Sequence, residues 1–61
     1  MTIWEATAER NALRAEGRDA IAVETIRWDG LRTSLVLNGE AELENFRAFN
    51  KDWDVTINVL A

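Results

Sequence analysis

Histidine, cysteine and tyrosine are all absent from this 61-residue chain. Without histidine no side chain titrates ordinarily near neutral pH, and without cysteine there is neither a thiolate nucleophile nor a soft metal ligand. No disulfide can staple the fold, and no Cys/His zinc site can nucleate it. Lack of cysteine accords with a reducing cytosol and excludes a disulfide-framed secreted miniprotein. Also missing is any apolar run long enough to span a bilayer. The opening Met1-Thr2-Ile3-Trp4-Glu5 has no basic stretch leading into an apolar segment, so no signal peptide is expected. These absences point to a soluble, cytoplasmic protein that uses no cofactor, catalyses no reaction and works by surface recognition.

What is present is acidic and apolar: eleven carboxylates against seven basic groups, a net charge of -4, 48% hydrophobic residues and three tryptophans. A chain of this length makes one domain, residues 1–61, because about 60 residues bury too little surface to divide between two cores. Stability must come from packing, helped by oligomerisation where that occurs. The negative charge gathers late in the chain. Glu40, Glu42, Glu44, Asp52 and Asp54 face only Arg47 and Lys51. An acidic balance disfavours direct contact with nucleic acid, whose phosphates need a basic footprint, and suits a basic protein partner.

Local signals give an element order. Thr2-Ile3-Trp4-Glu5 fits a capping box, an Ala/Arg/Glu-rich stretch follows, and Gly17 falls where a left-handed helix cap would sit. On that helix Trp4, Ala8, Ala12 and Ala15 share a face, and the small alanines would let it lie close on a sheet. Leu13 stands apart from the stripe, among the polar residues. Asp29-Gly30 divides two apolar runs, 20–28 and 31–37, and predicts a hairpin with a two-residue type I′ turn and Trp28 opposite Leu31. Asn38-Gly39 leads either into a second hairpin or into a helix over about 40–50 that buries Leu43, Phe46 and Phe49 as one arc. The helix is preferred, since three acids at its start favour a helix amino terminus. Trp53, Val55, Ile57 and Val59 alternate with polar residues and predict a final strand. The fold class expected is α+β, in the order α-β-β-α-β, with helices packed on a three-stranded, largely antiparallel sheet.

Two constellations carry candidate function. Glu40, Glu42, Glu44, Asp52 and Asp54 have spacings useful against a line of arginines, whether on helix or strand. A solvated face is the common fate of such residues. Catalysis would need a cleft holding one acid in an apolar pocket, and calcium would need a clustered loop of which Asp52-Trp53-Asp54 is only a fragment. The tryptophans Trp28 and Trp53 are expected in the core, and Trp4 either there or exposed as an interface anchor. Leu13 and Leu60 are secondary interface candidates. Arg10, Arg14 and Arg18 recur every four residues and are expected to pair with nearby acids.

In size, in its acidic stretches Glu40–Glu44 and Asp52–Asp54, and in its lack of catalytic groups, the chain resembles the small anti-CRISPR proteins encoded by phages and mobile elements. The resemblance implies an inhibitor that binds a CRISPR effector subunit, with the acidic surface standing in for DNA. The alternative is a small structural or assembly module, a dimer or accessory subunit, joined to its partners by apolar contacts through Trp4, Leu13 and the hairpin edge.

Overall fold

The computed structural model describes residues 1–60. Helix α1 spans Ile3–Ala15, strand β1 Ala20–Ile26, strand β2 Arg32–Asn38, helix α2 Glu40–Asn50 and strand β3 Thr56–Val59. The expected α-β-β-α-β order is the observed one, and the α+β class stands.

Both ends of α1 follow from local chemistry. The Thr2 hydroxyl accepts from the Glu5 N–H at 3.1 Å while the Glu5 carboxylate accepts from the Thr2 N–H at 3.0 Å, which closes the capping box. At the other end the Gly17 N–H donates to the Arg14 carbonyl and the Arg18 N–H to the Leu13 carbonyl, a Schellman cap.

Between the strands, the predicted hairpin forms with a different loop. A two-residue type I′ turn needs positive φ at both central residues. Gly30 has φ +87°, but Asp29 is not in the left-handed region. The chain instead makes a three-residue loop, in which the Gly30 N–H donates to the Arg27 carbonyl and the Arg27 N–H to the Leu31 carbonyl, each at 2.9 Å. The register moves by one residue: Ile26 faces Arg32, Val23 faces Leu35 and Ile21 faces Leu37. Trp28 does not pair with Leu31 but sits at the loop tip. Because side chains alternate with period two, this shift decides which β1 residues share a face with Leu35 and Leu37.

The sheet has the order β2-β1-β3, all neighbours antiparallel, with Val23 opposite Val59 and Thr25 opposite Ile57. Central β1 is buried on both faces. Ile21, Val23 and Leu37, with half-buried Leu35 and Ile57, meet Leu43 and Phe46 from α2. On the other face Ala20, Ala22, Glu24 and Ser34 are buried beneath α1, whose Ala6 is fully buried too. Small side chains on helix and strand let the two backbones approach. That mechanism was expected, but through Ala8, Ala12 and Ala15, all three of which are exposed. The packed face runs instead through Ala6, Arg10 and Leu13, so Leu13 is half-buried rather than set apart on a polar face.

Arg10 and Arg14 fix α1 to the sheet through backbone carbonyls. Arg14 Nε donates to the Ala20 carbonyl at 2.9 Å, and Arg10 Nη1 to the Leu60 carbonyl at 3.0 Å. Leu60 is thereby held at both backbone groups, since its N–H donates to the Ala22 carbonyl. The remaining buried charge, Glu24, lies 3.7 Å from Arg32. β3 is shorter than the alternation suggested: it starts at Thr56, after a turn in which Asp54 takes φ +52°, and Trp53 precedes the strand instead of heading it.

Candidate functional site: an aromatic groove at the hairpin end

None of the three tryptophans is in the core. Trp4 is 83% exposed, Trp28 74% and Trp53 64%, and Phe49 joins them at 76%. The expectation that Trp28 and Trp53 are core residues is therefore wrong, and each exposure has a local cause. Trp28 is pushed to the loop tip by the one-residue register shift. Trp53 falls in the turn between α2 and β3. Phe49 leaves the core through helix geometry, because each three-residue step falls about 60° short of a full turn. Leu43 is buried, Phe46 half-buried and Phe49 exposed, and they follow that drift in order.

Trp28, Phe49 and Trp53 converge. With Arg27, Asn50 and Val55 they line an open groove of about 400 Å³. That volume is within the range of about 300 to 1,000 Å³ typical of small-ligand sites.

The groove's polar groups are few, and most are committed. Arg27 grips Asp29 through Nε and Nη2, and Asp29 Oδ1 also accepts from the Leu31 N–H at 3.1 Å. The guanidinium beside it, with help from the Leu31 N–H, holds the Asp29 carboxyl down at about 2, and the same pairing raises Arg27. Asn50 Nδ2 donates to the Phe46 carbonyl at 2.8 Å. Its Oδ1 has no hydrogen-bond partner among the described residues.

The acidic candidates are all exposed, and none makes an ion pair within 4.0 Å among the described residues. The fold does not gather them into one line. On α2, Glu40 and Glu44 lie about 40° apart around the axis, whereas Glu42 is turned about 160° from Glu44. Asp52 and Asp54 stand beyond the opposite end of α2, on either side of Trp53. Glu40 instead borders a second depression, of about 330 Å³, with Arg14, Arg18 and Asp19. Trp4 is on the outward side of α1 and does not line the groove. Among the described residues, no group of three or more carboxylates is placed to hold a metal ion, and no helix is long and apolar enough to cross a membrane.

Sequence reasoning missed all six lining residues, Arg27, Trp28, Phe49, Asn50, Trp53 and Val55, as site residues. The signal for Trp28 was its place directly before Asp29-Gly30, where a three-residue loop makes it the exposed tip. No protein-family model, curated protein or solved structure matches this chain.

Proposed function

We propose that the chain is a non-enzymatic binding protein that docks on a basic protein partner through its hairpin end. One observation carries the reading: a 61-residue fold short of bulky core residues places Trp28, Phe49 and Trp53 outside its core and converges them on one groove. Exposed aromatics of this kind are the usual anchors of protein interfaces, and contiguous exposed apolar surface on a small domain marks a binding site. Asp52 and Asp54 beside Trp53 supply an acidic rim, and the net charge of -4 favours encounter with a positive surface.

The test is in-cell cross-linking in the native host, comparing wild type with a Trp28→Ser/Trp53→Ser variant. The variant should keep the wild-type circular dichroism spectrum, because neither ring is buried, and should lose the partner that wild type captures. Undiminished capture by the folded variant would move the docking surface elsewhere.

A second reading has its own support in five exposed carboxylates that make no ion pair within 4.0 Å among the described residues. It is an inhibitor that lays Glu40 and Glu44, with Asp52 and Asp54 beyond the other end of α2, on the nucleic-acid groove of its partner, in the manner of the DNA-mimicking anti-CRISPR proteins. In this reading DNA competes for the partner, and binding survives the loss of Trp28 and Trp53.

A further inference from the structure

We infer that the aromatic groove receives an arginine side chain of the partner, its guanidinium stacked on Trp28 and Trp53 and its N–H groups directed to acceptors at the rim. The inference rests on the docking reading above and adds what the groove takes in. Three features of the groove select a cation.

The first is the walls. Faces of Trp28, Phe49 and Trp53 carry the negative end of an aromatic quadrupole, and a guanidinium over such a face is attracted to it. The second is the unused polar atom. Asn50 spends its nitrogen on the Phe46 carbonyl, so the atom it offers a ligand is Oδ1, an acceptor. An apolar anchor would cover that acceptor without satisfying it, at the cost of its hydration.

The third is charge. Arg27 is the one cation among the lining residues, and it is neutralised by Asp29. Of the neighbouring charges on the α2–β3 connection, Lys51 is positive and Asp52 and Asp54 negative, a balance of -1. A second copy of this chain fits poorly, since a two-fold contact centred on the groove would bring two rims that each carry Asp52 and Asp54 together. Arginine suits the groove better than lysine because a planar guanidinium can stack on an indole while its edge still donates hydrogen bonds.

The experiment titrates the ¹⁵N-labelled full chain with three short peptides that differ only in a central arginine, citrulline or norleucine. Citrulline keeps the shape of arginine and lacks its charge. The three indole N–H resonances, assigned with Trp4→Phe, Trp28→Phe and Trp53→Phe, separate groove from background. The arginine peptide should shift Trp28 and Trp53 and leave Trp4 in place, and the citrulline peptide should bind about fivefold or more weakly. A D52N/D54N variant should also weaken the arginine peptide; asparagine is chosen because, like aspartate, it tolerates the positive φ of residue 54.

Equal binding of citrulline, or tighter binding of norleucine, overturns the arginine assignment. Tighter norleucine binding at Trp28 and Trp53 leaves the docking reading standing with an apolar partner. Indole shifts that grow with protein concentration in the absence of peptide would make a second copy the occupant. If no peptide moves Trp28 or Trp53, the groove is not a receptor. The cross-linking comparison then decides separately whether this end docks at all.

Discussion

Bulk and burial part company in this chain, and single substitutions should show it. The core is built from Ile21, Val23, Leu37 and Leu43 with alanines on the α1 side, while the largest side chains face water. Leu43→Ala should therefore cost about 2 to 5 kcal/mol, enough to unfold much of so small a domain. Trp53→Ala should cost under about 1 kcal/mol and leave the melting temperature within a few degrees. Thermal unfolding followed by circular dichroism ranks the two, and the reverse order would place the indole in the core. Asp29 offers a second check. Its folded pKa, about 2, is depressed from 3.8, so what the carboxylate adds to stability is present in full above about pH 4 and is lost as pH falls through about 2. Asp29→Asn should therefore lower stability by a constant amount above about pH 4 and flatten the acid-unfolding profile as pH falls from there through about 2. Such details were half legible in the sequence. The Thr2–Glu5 box was readable because it is a matter of neighbouring residues, whereas the places of Trp28, Phe49 and Trp53 depended on register, helix drift and a turn that composition does not encode.

Elements were easier to read than their faces. Asp29-Gly30 located the hairpin correctly but is compatible with two-residue and three-residue loops, and the difference of one residue exchanged the side-chain sets. For α1, three alanines at helical spacing looked like a packing stripe, yet the face that packs is the one where Arg10 and Arg14 can reach the carbonyls of Leu60 and Ala20. At the entry to α2, Gly39 was read as an ordinary lead-in to a helix. It has φ +90° and ψ 170°, a region essentially restricted to glycine. Gly39→Ala is therefore expected to destabilise by roughly 1 to 3 kcal/mol in chemical denaturation, although the added methyl would meet nothing closer than Asp19 Cβ at 4.0 Å. An unchanged midpoint would show that the backbone there relaxes freely.

At the scale of the molecule, α1 and α2 cover both faces of a three-stranded sheet and leave the hairpin end open. Charge is distributed differently from the aromatics, so the two readings of function separate by salt. If the carboxylates carry binding, Glu40→Lys/Glu44→Lys/Asp52→Lys should abolish partner capture without altering the fold, and wild-type affinity should fall steeply with added salt. Asp54 is left out of that set because lysine is ill suited to its positive φ. If the groove carries binding, salt should matter less, and the triple variant should retain part of its affinity through Trp28, Phe49 and Trp53. The placement of the indoles has a further effect on how the protein can be watched. With Trp4, Trp28 and Trp53 all largely in water, native emission should already lie near that of free tryptophan. Unfolding should then be almost silent in fluorescence, and a blue shift in this protein's emission should report an encounter rather than folding.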